Sequence, residues 1–209
     1  MKKIELIREL ASAESSIRMH GASALFAMGR TESEPIVDEW AQDREFASLL
    51  LRHTARGGHL RATVGIAVRP ETFARIRDAN RSPRLAEVPP DQDAMEFELH
   101  FTAAAAGGEA SREMPIQLDI LTSKQPEGQG AIARFLEKFG EGIQQVEYDV
   151  ADVDRGAQIL AERFGQKPVY PQTRAGADGT RVNFFLATRP GGAKILIELV
   201  EHAAAKSSL

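Results

Sequence analysis

Glu141–Val150 reads Glu-Gly-Ile-Gln-Gln-Val-Glu-Tyr-Asp-Val, and the reading of this stretch decides the fold. A helix ends at Gly140–Gly142 just ahead of it, and a strand begins at Ile143 and runs to Val150. Asp152 then has the place of an N-cap for a helix over Val153–Phe164, with Ile159, Leu160 and Phe164 turned inward. Val169–Thr173 leads into the glycine-rich turn Gly176-Ala177-Asp178-Gly179. Strands over Val182–Ala187 and Lys194–Val200 follow, joined at Pro190-Gly191-Gly192.

The stretch before it repeats this plan. Arg61–Val68 is rich in small and β-branched residues, as strands are, and Pro70–Asn80 carries Phe73 and Ile76 at helical spacing. Met95–Phe101 alternates, with Met95, Phe97, Leu99 and Phe101 on one face and Glu96, Glu98 and His100 on the other. Thr102–Glu113 reads as a long flexible hairpin loop, and Pro115–Leu121 as a further strand. Val64 and Val68 overlay Val146 and Val150 at an offset of 82, and Ile116-Gln117-Leu118 overlays Ile197-Glu198-Leu199 at 81. Strand–helix–strand–strand–strand thus occurs twice. The fold class is α+β, with two βαβββ modules (about 59–122 and 143–203) forming a partly open, curved sheet around a cleft.

An amphipathic linker helix over 129–139 joins the modules, with Ile132, Phe135, Leu136 and Phe139 on one stripe. These parts make a domain over 58–209. Gly57-Gly58 separates it from residues 1–57, a helical N-terminal extension for packing or dimer contacts. Within the extension, Lys2–Met19 has helical spacing and Gly21 marks a stop. Ala22–Met28 is either strand or buried helix, and Glu34-Pro35 looks like a helix start.

Bulk properties narrow the function classes. Of the 209 residues 43% are hydrophobic and 27% charged, which suits a folded globular protein. The net charge is −4 and no basic stripe stands out, which argues against nucleic-acid or anionic-membrane partners. With no cysteine, thiolate chemistry, disulfides and cysteine metal sites are excluded. No apolar run approaches the roughly 20 residues of a membrane span, and Met1–Leu10 is too charged for a signal peptide, so a cytoplasmic location is expected. Glu198, between Ile197 and Leu199, is either a site residue or a cleft-facing acid without a chemical role. Glu96, Glu98 and His100 belong to a site or to a solvated sheet face. His20, His53, His59 and His202 fall in termini or loops and read as solvated. The 176–179 turn lacks phosphate-loop spacing.

The chain over His59–Glu201 resembles the vicinal oxygen chelate superfamily, which includes glyoxalase I, extradiol dioxygenases and bleomycin-resistance proteins, and within it methylmalonyl-CoA epimerase. The residues that carry this are Ala131–Lys138, Gly142-Ile143-Gln144-Gln145-Val146, Asp152-Val153-Asp154, Gly176–Val182 and Gly191–Glu201. The resemblance implies a divalent metal held from four strands by two histidines, a glutamine or glutamate, and a glutamate. Carried over by position, these fall on Thr63, Gln145, Gln117 and Glu198. Gln117 and Glu198 fit, whereas Thr63 and Gln145 replace the histidines that give such sites their transition-metal affinity. A vacant or altered site is implied, with His100 as a substitute ligand. The two glutamates that flank the substrate fall on Glu96 and Glu198, which implies carboxylate-mediated proton transfer α to a thioester or 2-oxo carbonyl. A small-molecule ligand or acyl thioester and a homodimer are the implied partners. Two other readings stand beside this one: a metal-free binding protein of the bleomycin-resistance type, and a degenerate scaffold contacted through its N-terminal helices.

Overall fold

The computed structural model describes residues 2–53, 58–104, 113–189 and 192–203. The hairpin loop expected over Thr102–Glu113 and the turn at Pro190-Gly191-Gly192 fall largely outside them. Three helices come first, α1 (Lys3–Glu9), α2 (Ser15–Trp40) and α3 (Arg44–Leu49). The first module supplies β1 (Ala62–Ala67), α4 (Pro70–Ala79), β2 (Met95–Ala104) and β3 (Glu113–Thr122). The linker helix α5 (Ala131–Phe139) leads to β4 (Gly142–Asp149), α6 (Val153–Phe164), β5 (Arg174–Ala175), β6 (Arg181–Thr188) and β7 (Lys194–Glu201).

Local chemistry explains the boundaries. Asp152 caps α6 by accepting from the Arg155 backbone N–H, and Gly165 closes it in the left-handed conformation at φ +63°. Gly140, at φ +72°, ends α5 and frees the chain to enter β4.

All seven strands join one sheet in the order β2-β3-β1-β4-β7-β6-β5, curled into a half-barrel. β1 and β4 run antiparallel at its centre, with Val64 opposite Val146, and each has a parallel neighbour, β3 and β7. A pseudo-two-fold therefore passes between β1 and β4, and the doubled architecture is present. In the first module, the segment ahead of β2 is tied to that strand through a bond from Ala86 N–H to the Glu96 carbonyl. β5 itself has only two residues.

The N-terminal helices differ from their sequence reading. Gly21 does not stop a helix and Glu34-Pro35 does not start one, because both lie inside the 26-residue α2. Packing overrides these local signals. A Cβ at Gly21 would stand 2.7 Å from the Leu6 carbonyl oxygen, and one at Gly29 would stand 2.6 Å from Val64 Cγ2. The glycines are thus the points where α2 touches α1 and β1. Pro35 forgoes a helical hydrogen bond, which costs roughly 3 kcal/mol, but the turn it begins buries Ile36, Val37 and Trp40.

Leu6 and Ile7 of α1, Leu25 and Val37 of α2 and Phe46 of α3 share one core with Val64, Leu118, Val146, Ile197 and Leu199 of the sheet. Trp40 meets Phe46 and Phe185 edge-on at centroid distances of 6.0 and 6.1 Å. Ser33 Oγ lies 2.7 Å from the Tyr148 hydroxyl in the same layer, satisfying both buried groups. One sheet face is sealed in this way and the alternate residues of every central strand are left facing the other. Gly29→Leu should force α2 away from β1 and lower stability by about 1–3 kcal/mol, read as a lower denaturation midpoint in urea.

Candidate active site

The open face of the sheet holds a cavity of about 900 Å³ lined by both modules. Along β4 the alternation sends Val146 and Tyr148 into the core and Gln145, Glu147 and Asp149 into the cavity. Glu96 reaches it from β2, Gln117 and Asp119 from β3, and Glu198 from β7, with Thr63 on β1. Leu121, Val182, Phe184 and Leu196 supply apolar wall.

Thr63, Gln117, Gln145, Glu96 and Glu198, the residues singled out from the sequence, therefore share one cavity. His100 is not part of its lining; it pairs with Glu98 at 2.9 Å where both are exposed. His202 is exposed, as its place near the end of the chain predicts, and still belongs to the rim of the site. It lines the cavity and lies 3.2 Å from Asp149 Oδ1, which raises its pKa. The register also shifts the overlay. Gly65 pairs with Asp119 and Glu147 pairs with Glu198, so Asp119, at an offset of 79, is the first module's counterpart of Glu198 in place of Gln117.

Two deep acids, Asp119 and Glu147, were not singled out from the sequence. Both carried a usable signal. Asp119 sits between Leu118 and Ile120 as Glu198 sits between Ile197 and Leu199, and Glu147 follows Gln145 at strand period.

Gln145 links the deepest groups. Its Nε2 donates to Glu198 Oε2 at 2.5 Å and to Glu147 Oε1 at 3.1 Å. Room for this comes from Gly65 across the ladder, where a Cβ would stand 2.6 Å from Gln145 Cγ. The second module's turn closes one side. Asp178 Oδ2 accepts from Arg84 at 2.5 Å and Oδ1 from the Glu87 backbone at 2.9 Å, fastening the 177–179 turn to the first module.

Electrostatics set the protonation of the floor. Burial, then the charges of Asp178 and Glu98, push Glu96 up to about 7. Burial, then Glu96 and Glu98, push Glu147 up to about 8 against the opposing Gln145 bond. Glu198, 6% exposed, is raised well above the carboxylate range by burial and by Glu147 and Glu96. Asp119, 7% exposed, is raised likewise by burial and by Glu96, Glu147, Glu98 and Glu198. These are the conditions that keep carboxyl groups protonated near neutral pH.

The donors do not fit a transition-metal site. Thr63 and Gln145 offer a hydroxyl and an amide where imidazoles would stand, and the Gln145 amide nitrogen is committed to two carboxyl groups. Among the described residues no group of three or more His, Asp or Glu side chains is arranged to hold an ion.

The fold and cavity are those of a vicinal oxygen chelate protein. Methylmalonyl-CoA epimerase from Mycobacterium tuberculosis is similar at 31% identity, covering 70% of this chain and 90% of that one, with a TM-score of 0.50. A methylmalonyl-CoA epimerase in complex with methylmalonyl-CoA and ammonium matches at 27% identity over 69% of this chain and 95% of that one, TM-score 0.51. A Streptomyces coelicolor epimerase variant in complex with 2-nitronate-propionyl-CoA matches at 26% over 68% and 96%, TM-score 0.51. No family model and no curated protein matches the chain. The chain belongs to the methylmalonyl-CoA epimerase family of this superfamily. No helix among the described residues is long and apolar enough to cross a membrane.

The raised acids have a consequence for stability. The folded protein holds protons on Glu96 and Glu147 over a range where the unfolded chain has lost them. Their contribution is fully present below the ordinary glutamate value and is lost as pH rises through about 7 and about 8. The thermal midpoint should therefore fall between about pH 5 and about pH 9, and Glu147→Gln should flatten that fall in a scanning calorimeter.

Proposed function

We propose that the cavity moves a proton at a carbon α to a carbonyl, an isomerase-type reaction of the kind its relatives' name denotes. The observation that carries this is the pairing of Glu96 and Glu198 in one cavity with unequal protonation. Glu96, titrating at about 7, is partly ionised at neutral pH and serves as the base, while Glu198 keeps its proton. Glu96 accepts the α-proton as the C–H electrons pass toward the carbonyl oxygen. Glu198 returns its own proton to the opposite face of the carbon, and solvent exchange resets the pair.

The enolate oxygen needs a donor, and Glu147 supplies one. A carboxylic acid held neutral by burial donates an O–H hydrogen bond to developing negative charge, as an oxyanion hole does. Glu147 pairs with Glu198 across the β4–β7 ladder, so donor and acid are adjacent. Gln145 orients both through its two hydrogen bonds. No step passes through a metal.

A second reading, a metal-free small-molecule binding protein, is favoured by the poor metal donor set. The two separate in deuterium oxide. A panel of methylmalonyl-CoA, other acyl thioesters and 2-oxo compounds is incubated with the protein, and loss of the α-proton is followed by NMR. Exchange without added metal is expected for at least one member, slowed about 100-fold or more by Glu96→Gln or Glu198→Gln. Exchange at the buffer rate throughout leaves the binding protein, and exchange that requires cobalt overturns the metal-free chemistry.

A further inference from the structure

We propose that the cavity receives an organic cation, an ammonium or guanidinium group on an apolar body, seated against Asp119. This stands apart from the proton-transfer reading and concerns the charge that the floor at Asp119 accepts.

The protein's own cations around the cavity are already committed to other acids. Arg61 and His202 are both turned to Asp149, at 2.9 and 3.2 Å. Arg174 pairs with Asp91 at 2.6 Å and Arg84 with Asp178 at 2.5 Å. Asp93 accepts from the Ser123 hydroxyl and the Gln125 backbone, and Glu98 pairs with His100. What remains on the floor is Glu96, Asp119, Glu147 and Glu198, four acids from four strands with no cation among the described residues paired to them. Glu147 and Glu198 at least share the Gln145 amide.

Asp119 has less. It is 7% exposed, lines the cavity, and its buried Oδ1 has no hydrogen-bond partner. A buried acceptor left unmade is costly, and such groups in folded proteins generally await a partner. An N–H donor bearing positive charge at the side of this carboxyl group that meets the cavity neutralises it and relieves the repulsion from the other three acids at once. An anionic group there would add a further like charge to the cluster. Size and lining favour an organic ligand over an ion. The cavity measures about 900 Å³ with Leu121, Val182, Phe184 and Leu196 in its wall, and no described cluster is arranged for a metal.

The faces around Asp119 carry Glu96 and Glu98 from β2, Glu147 and Asp149 from β4, Glu198 from β7, and Arg61 with His202 at one edge.

The test is calorimetric, on the full chain, with 3-phenylpropylamine and the near-isosteric anion 3-phenylpropanoate as probes. The amine is expected to bind at about millimolar or tighter, in keeping with its few heavy atoms, and at least about 10-fold tighter than the anion. Asp119→Asn should weaken the amine about 10-fold or more while leaving the anion unchanged. Equal binding of both probes, preference for the anion, no amine binding at about 10 mM, or full retention by a folded Asp119→Asn variant would each overturn the proposal. Should that variant not fold, the amine–anion ratio on the unaltered protein decides alone. Manganese titrated as a separate arm, displacing bound amine at stoichiometric amounts, would show a metal site and sink the organic-cation reading. No turnover is needed, so amine binding without α-proton exchange removes only the catalytic reading, and exchange without amine binding removes only this one.

Discussion

Four carboxyl groups confined to one concave face must share protons, because low dielectric and mutual repulsion prevent all of them from ionising together. Glu96, Asp119, Glu147 and Glu198 come from four different strands, so no local rearrangement of one element separates them. Their repulsion is a constraint that the rest of the structure must outweigh. Neutralisation by protons is the cheapest response available to the chain, and it is what leaves proton donors and an acceptor side by side at neutral pH.

The sealed face of the sheet is where that burden is met. α2 crosses behind the strands, and its glycines bring the helix backbone down onto β1 and α1. Trp40, Phe46 and Phe185 lock the layer, and burial of side chains of this size contributes about 1.5–3 kcal/mol each. The acids and the apolar layer alternate along the same strands, so each residue that strengthens the core also aims its neighbour into the cavity. Stability and site are thus two faces of one period-two pattern.

That period made the second module legible from sequence. The boundaries of β4, α6, β6 and β7 follow from alternation, an aspartate cap and glycine stops, all of which are local. The N-terminal helices were less legible because Gly21 and Pro35 are local breakers that tertiary contact overrules. At the site, Glu198 stood out as an acid between apolar neighbours and Glu96 came from the resemblance, and both line the cavity. Asp119 carried the same signal but lost it to an overlay that aligned Gln117 with Glu198. The error came from using a nearly constant offset. The register gives 79 where the overlay used 81, a slip of two residues, which preserves the face and changes the residue. A slip of one would have put the wrong face in the cavity and exposed itself at once.

A hydroxyl and an amide at Thr63 and Gln145, where the resemblance implies imidazoles, bear on what every neighbouring acid does. In a site with a bound divalent ion, a nearby carboxylate is held ionised by the ion's charge, and the ion itself polarises the carbonyl. Where the donors are Thr63 and Gln145, that charge is not secured. The acids then settle their repulsion by keeping protons, and a protonated carboxyl group is itself an electrophile of the hydrogen-bonding kind. On the metal-free reading proposed above, weak metal donors and neutral carboxylic acids are one property viewed from two sides. The same electrostatic field that retains protons on Glu147 and Glu198 also attracts any positive charge small enough to enter. The cavity is held between these two ways of neutralising itself, and which of them prevails is set by whatever the cleft contains.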